Sequence, residues 1–246
     1  MKENSKEIYN DEFYKNRNKT TRYSARKILE ILFGNYQISS VIDFGCGVGT
    51  WLSEAKKMGI DEIKGLDGDY VNRKYLTIQK EEFWAVDLSR KVTLNRRFDL
   101  AISLEVAEHL SNHRAKGFVD DLCNAADIVL FSAATKKQGG DGHINEQRLS
   151  YWIRLFDKRG YEVSDMIRPL IWNDVRIPVW YRENVVVFVN RNSNIPLVDL
   201  SGNPSIYDMI HPELYEMKVD EFEQFKRKKI IKVYLYLENL VKKVLG

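Results

Sequence analysis

Residues 41–51 read VIDFGCGVGTW, an apolar run that carries one carboxylate, Asp43, into three glycines spaced by single residues, Gly45, Gly47 and Gly49. Glycines so placed let backbone N–H groups close on a ligand and permit positive φ. In an α/β sheet a loop of this kind binds its ligand at the carboxyl ends of the strands. The bland alternative is that these glycines only make tight turns. The dinucleotide spacing would place Gly or Ala at position 50, which is Thr50. Asp43 argues against a pyrophosphate as well, since it would repel one and attract an ammonium or a sulfonium. Twenty residues after Gly47, Asp67 ends the run IKGLD, where it can accept hydrogen bonds from ribose hydroxyls. Asp87, in AVDL, can accept from an adenine amino group.

A second group of reactive side chains follows FDLAISL: Glu105, Glu108, His109 and His113, with His143 later in GGDGHINEQ. On a helix, Glu105 would share a face with Glu108 (i, i+3) and His109 (i, i+4). Two carboxylates and one or two imidazoles suit an octahedral divalent ion with open positions, Mg²⁺ or Mn²⁺. Without a metal, His109 or His143 can act as general base, with a reference pKa of about 6.5. A third reading leaves the glutamates shaping a pocket and the histidines packing. Further on, Arg168, Trp172, Arg176, Trp180, Tyr181 and Arg182 crowd three arginines and three large aromatics into one connector. Such groups stack on sugar rings or bases and pair with anions, or they plug a sheet edge.

The elements that must position these residues are legible as alternation. Strand-like runs fall at 41–44, 62–66, 83–86, 98–104, 128–132, 161–166 and 185–189, and amphipathic stretches at 51–58, 114–126 and 149–159. A leading helix is predicted over 21–33. Continuous apolar strands alternating with helices predict an α/β fold with a mostly parallel sheet covered on both faces. The last two strands are joined by a long stretch with no helix signal, which suits an antiparallel final strand. Near 191 the composition turns loop-rich, with Pro196, Gly202, Pro204 and Pro212 as punctuation, so we divide the chain into 1–190 and 191–246. The second part ends in a helix whose residues Ile230, Val233, Tyr234, Leu237, Leu240, Val241 and Val244 make one apolar stripe.

The whole chain of 246 residues carries a net charge of +3, but residues 226–246 hold seven bases against one acid, so a mildly acidic body bears a basic tail. That tail is expected to pack on its own body or a second subunit, to lie on an anionic membrane surface, or to bind nucleic acid; the acidic body counts against the last. Two cysteines, Cys46 and Cys123, exclude a disulfide framework and a four-cysteine zinc site. With no apolar leader and no run approaching the roughly 20 residues that span a bilayer, a cytoplasmic protein is expected.

The acidic glycine loop, Asp67, Asp87 and FDLAISLEVAEHL, in that order, resemble the class I S-adenosylmethionine (SAM)-dependent methyltransferases over residues 20–190. The resemblance implies a Rossmann-like seven-stranded sheet of order 3-2-1-4-5-7-6. It implies SAM held by Asp43, Gly45, Cys46 and Gly47, by Asp67 and Gly68, by Asp87 and Leu88, and by Leu104. Glu-x-x-Glu-His is similar to an element of small-RNA 3′-terminal 2′-O-methyltransferases and of ubiquinone-pathway O-methyltransferases, which implies Glu105, Glu108, His109 and His143 as metal ligands, with His113 competing for the last place. In catalysis it implies His109, His143 and Glu108. Residues Gly142–Gln147, Tyr151, Trp152, Gly160, Tyr161, Arg168, Trp172, Trp180, Tyr181 and Asn184, with HPELY at 211–215, look like methyltransferases encoded with bacterial surface-polysaccharide genes. That implies O-methylation of a sugar or glycan, with Arg168, Trp172, Arg176, Trp180 and Tyr181 facing the acceptor. The alternatives are an RNA ribose 2′-O-methyltransferase and a SAM-binding protein without catalysis.

Overall fold

The computed structural model describes residues 11–198 and 207–245. Helix α1 (Asp11–Phe33) precedes β1 (Ser40–Phe44), α2 (Thr50–Lys57), β2 (Glu62–Asp67), β3 (Phe83–Ala85) and β4 (Phe98–Leu104). Then come α3 (Asn112–Ala125), β5 (Ala126–Ser132), α4 (Leu149–Asp157), β6 (Tyr161–Ser164), α5 (Arg168–Ile171), α6 (Val179–Asn184), β7 (Val186–Asn190) and α7 (Pro212–Leu245). The seven strands form one sheet of order β3-β2-β1-β4-β5-β7-β6. Strands β1 to β5 pair in parallel, and β7 runs antiparallel to both β5 and β6. This is the predicted Rossmann-like arrangement. Because β1, β2 and β4 lie side by side, their carboxyl ends bring Asp43, Asp67 and Glu105 to one edge.

Three elements depart from the sequence reading, the first being α1, which starts at Asp11, ten residues before the helix expected over 21–33. The stretch between β6 and β7 holds α5 and α6, four and six residues long. Helices of one turn or so are too short for a 3.6-residue periodicity to register. Helix α7 begins at Pro212, inside the stretch read as loop. Proline suits the first helical position, where its missing N–H would have had no intrahelical partner. Gly202 and Pro204, and the side chains of Val233, Leu237, Leu240, Val241 and Val244, lie outside the described part. Contacts divide the chain into Met1–Met209 and Ile210–Gly246. The division falls later than the change of composition because Ile195 and Val198 pack on one core layer and Tyr207 on the other.

Strand residues alternate between those layers. Val41, Leu100, Leu130 and Val187 face Ile28, Leu32, Leu52 and Ile171 on one side. Ile42, Ala101, Phe131 and Phe188 face Phe118, Leu122, Trp152 and Phe156 on the other. A sheet buried on both faces explains why its strands read as unbroken apolar runs. Among the described residues no helix is long and apolar enough to cross a membrane.

Two polar clasps tie the α5–α6 segment down. Arg168 is 1% exposed; its guanidinium forks onto both carboxylate oxygens of Asp165 at 2.7 and 2.6 Å and also donates to the carbonyls of Glu183 and Tyr207. Asp174 accepts from Tyr23 of α1 at 2.7 Å and is gripped by Arg176, whose guanidinium stacks on the Tyr23 ring. The Arg176 hydrogen bonds hold the Asp174 carboxyl well below the usual range, burial opposing them.

Replacing Arg168 with Ala strands a buried carboxylate, and we expect a loss of about 3–5 kcal/mol in chemical denaturation. The Asp174 clasp works in the opposite sense to a histidine switch: its stabilisation is present above the unfolded carboxyl pKa of about 3.9 and is lost as pH falls through the depressed folded value. Asp174→Asn should therefore cost about 0.5–1 kcal/mol at pH 7 and progressively less as pH falls from about 3.9 through the depressed folded value, which flattens the acid limb of the stability curve.

Candidate active site

The glycine loop takes its shape from left-handed backbone. Gly45 and Gly47 have φ of 89° and 55°. A Cβ on Gly45 would lie 2.4 Å from the Val106 side chain, whereas one on Gly47 would meet nothing within 4 Å. The first glycine is needed for packing, and the second keeps one side of the loop open. The N–H groups of Gly45 and Cys46 are bound to the carbonyl of Leu66, which laces the loop to the end of β2. The Gly47 N–H donates to Asp67 at 2.7 Å.

Asp43 and Asp67 are 3% and 5% exposed and lie near the carboxyl ends of the adjacent strands β1 and β2, Asp67 two residues beyond the register partner of Asp43. Burial, and then the neighbouring Asp67 charge, push the Asp43 carboxyl well above its ordinary value. Asp67 also accepts from the Gly68 N–H and from the Tyr70 phenol, both at 2.6 Å. Tyr70 has no sequence signal beyond its place three residues after Asp67. Two buried acids beside an open backbone loop fit a cationic nucleoside. Leu104 and Leu88 are buried, in opposite core layers. The Asp87 side chain is 57% exposed, capped by Ser89 and beside Arg90. The third strand ends at Ala85, before Asp87.

The carboxylate–histidine group is built differently from the helix expected of it. Residues Ala107–His109 form one 3-10 turn, and α3 begins only at Asn112. The cause lies at Glu105, whose φ of 55° turns the chain away from a right-handed helical path. Such strain in a non-glycine residue needs surroundings that hold it. They are the Glu105 N–H donating to Ser132, and the side-chain amides of Gln138 and Asn184 donating to its carboxylate at 3.2 and 3.4 Å.

That turn places Glu108 at 0% exposure with no hydrogen bond to either carboxylate oxygen. Burial, reinforced by the Glu105 charge, pushes its carboxyl up to about 9. Ligand atoms of Glu108, His109 and His143 all lie within 4.8 Å of one another. The rings of the two histidines meet edge-on at 4.8 Å. Glu105 lies outside this trio, and His113 is exposed on α3.

His143 reaches the site because the loop after β5 is stitched onto the 3-10 turn. The N–H groups of Ile144 and Asn145 both donate to the Glu108 carbonyl at 2.9 Å, and buried Asn145 bonds Asn112 and Gln147. The Nδ1 of His143 lies 3.0 Å from Glu146, whose carboxylate also accepts the N–H groups of Gly139 and Lys137. Burial raises the Glu146 carboxyl, but these hydrogen bonds prevail and hold it low. An ionised acceptor requires the proton on Nδ1, so the His143 lone pair sits on Nε2, 4.0 Å from Glu108. For His109, Nδ1 is 3.3 Å from the Gly142 carbonyl, which likewise assigns the lone pair to Nε2. Glu146 and Asn145 stand inside the Gly142–Gln147 segment of the sequence without a role assigned to them there. Gln138 had no sequence signal.

The aromatic connector separates. Arg168 is locked in its clasp, and Tyr181 packs edge-on against Trp51 of α2 at 5.6 Å. Trp172 is half-buried, while Arg176 and Trp180 are exposed. Asn184, at the end of α6, joins this segment to Glu105 and Gln138.

Comparison with known proteins agrees with this architecture. The model of a methyltransferase domain matches residues 13–124. Among solved structures, the fold is similar to Streptomyces venezuelae DesVI, with a TM-score of 0.54 and 15% identity over 73% of this chain and 96% of that one. It is also similar to magnesium protoporphyrin IX methyltransferase from Synechocystis PCC 6803 with bound SAH (TM-score 0.53, 16% identity, 70% and 83% covered). A third is the methyltransferase domain of the bacterial CtHen1 (0.51, 20%, 70% and 98%). No match was found to a curated protein. The methyltransferase-domain match thus covers the stretch that holds the glycine loop and the 3-10 turn, on a sheet that shares the fold of solved methyltransferases.

Proposed function

We propose that the chain is an O-methyltransferase that binds a divalent ion, Mg²⁺ or Mn²⁺, at Glu108, His109 and His143 and methylates a sugar or glycan hydroxyl. The observation that carries the reading is Glu108: a carboxylate with no exposure and no hydrogen-bond donor, facing two imidazoles. A cation would stabilise the charged form that burial disfavours, and the ligand set, one hard oxygen donor and two imidazoles, fits a metal with open positions. When bound, the ion would lower the pKa of a coordinated hydroxyl and help orient it. Glu105 adds a second negative charge from its amide-held position, and Glu146 holds His143 in the ligating tautomer, as carboxylates behind metal-bound histidines do.

On the cofactor side, the open face of Gly47 admits the nucleoside, Asp67 accepts its ribose hydroxyls in place of Tyr70, and Asp43 offsets the positive end of SAM. In the transfer, the acceptor oxygen attacks the methyl carbon, the C–S bond breaks with its electron pair left on sulfur, and the hydroxyl proton departs. With the ion bound that proton would pass to solvent; without it, His109 or His143 would serve as the general base. Support for a sugar comes from the connector joined to the site through Asn184, in which half-buried Trp172 and exposed Trp180 are aromatics of the kind that stack on sugar rings, while Arg176 is held by Asp174 and Tyr23. Arg168 and Tyr181 are occupied inside the fold and are left out of this acceptor set.

S-Adenosylhomocysteine release, followed with nucleotide sugars, glycan fragments and short RNAs under Mg²⁺, Mn²⁺ or EDTA, tests the whole reading. We expect turnover on a sugar, abolished by EDTA and restored by Mn²⁺; turnover on RNA alone would move the acceptor to a ribose 2′-hydroxyl. Glu146→Gln should weaken Mn²⁺ binding by roughly 10–100-fold while leaving the affinity for S-adenosylhomocysteine unchanged. Asp67→Ala should do the reverse, costing about 1.5–3 kcal/mol of nucleoside affinity by calorimetry with Mn²⁺ binding intact.

A further inference from the structure

Helix α7 is 34 residues long, about 50 Å at 1.5 Å per residue. Tyr215, Val219, Phe222, Ile230 and Tyr234 fall on one side of it, and each is between 40% and 67% exposed. An apolar stripe of this length left to solvent marks an interaction surface. The sequence stripe beyond Ile230 continues the same side by periodicity.

The charges on this helix are segregated along its length. Residues 212–225 hold five acids (Glu213, Glu216, Asp220, Glu221, Glu223) against one base, Lys218, a net of −4. Residues 226–246 hold seven bases against Glu238, a net of +6. A parallel partner of the same sequence would set +6 against +6 over the basic half. An antiparallel one overlapping at residues 212–239 sets each acidic half, −4, against residues 226–239, which hold five bases and Glu238, a net of +4, with the stripes facing. An anionic membrane would attract the basic half and repel the acidic half of one continuous helix. The charge pattern therefore selects a second copy of the chain.

We propose that α7 pairs antiparallel with α7 of another copy, forming a two-fold symmetric dimer held by the apolar stripe and oriented by the opposed half-charges. Antiparallel pairing of one helix with itself is isologous, so it closes at two copies. The pairing is independent of the acceptor and metal readings, because none of its residues belongs to that site.

Sedimentation equilibrium of the full chain tests the stoichiometry: a dimer is expected, with Phe222→Glu/Ile230→Glu converting it to a monomer. Orientation is read by cysteine pairing, since Cys46 and Cys123 are buried and do not compete. Val219→Cys and Val233→Cys lie 14 residues apart, about 21 Å along the helix, and face one another between antiparallel copies, so a disulfide between copies reports which ends meet. The expected result is a cross-link only when the two single variants are mixed. Cross-linking of either variant with itself would mean parallel pairing and would overturn the proposal. So would a wild-type monomer, including one that co-sediments with phosphatidylserine vesicles.

Discussion

Four carboxylates share one edge of the sheet, and the organisation of the site follows from the cost of keeping them there. Asp43, Asp67 and Glu108 are buried, and Glu105 is partly so, at the ends of strands that the parallel sheet sets side by side. Desolvation and mutual repulsion both disfavour the charged forms. For Asp67 the fold supplies donors: two backbone N–H groups and the Tyr70 phenol. For Glu105 it supplies two amides. For Glu108 it supplies none, and for Asp43 the strongest influences are burial and a second acid. The two acids least compensated by protein donors are the two that our reading assigns to cations, a sulfonium or ammonium at one and a metal ion at the other.

The glycine loop and the 3-10 turn are one construction. Val106, at the start of that turn, fills the space a Cβ on Gly45 would need, so the close approach of β1's loop to β4's exit depends on a missing side chain. The loop after β5 then caps the turn through two N–H groups on the Glu108 carbonyl and carries Glu146 and His143 with it. The backbone that buries the Glu108 carboxylate is thus also the backbone that delivers an imidazole to it. A shift in either loop would move both halves of the site.

How much of this was legible depended on distance along the chain. The glycine loop, Asp67 and the strands are local patterns, and they appear in the structure within a few residues of where periodicity put them. Glu108, His109 and His143 were legible as residue types, but the helix expected to align the first two is a single turn, because a left-handed Glu105 leaves no mark in composition. Glu146 and Gln138 act through contacts that only the folded β5 loop creates. Arg168 shows the opposite error: counted with exposed arginines, it is buried against Asp165, an acid three residues away that was visible all along. Counting charges without asking which are paired within one turn inflated the acceptor surface.

What remains exposed after these pairings is therefore more informative than the raw count. In the α5–α6 segment, Arg168 spends its charge inside the fold, and Arg176 is tied to Asp174 while its flat face lies on Tyr23. Arg182 donates to the carbonyls of Ile177 and Trp172. Three cations that could have formed an anion-binding strip are instead distributed as fasteners of a connector with little regular structure of its own. A short segment crossing from β6 to β7 has many backbone carbonyls that no ladder satisfies, and guanidinium groups with five donors each are well suited to satisfy them. Of the aromatics in the same segment, Trp180 stays exposed and Trp172 is half-buried. The recognition this rim can offer is stacking and neutral hydrogen bonding more than charge pairing, which favours a sugar ring over a polyanion as the acceptor our reading assigns to it.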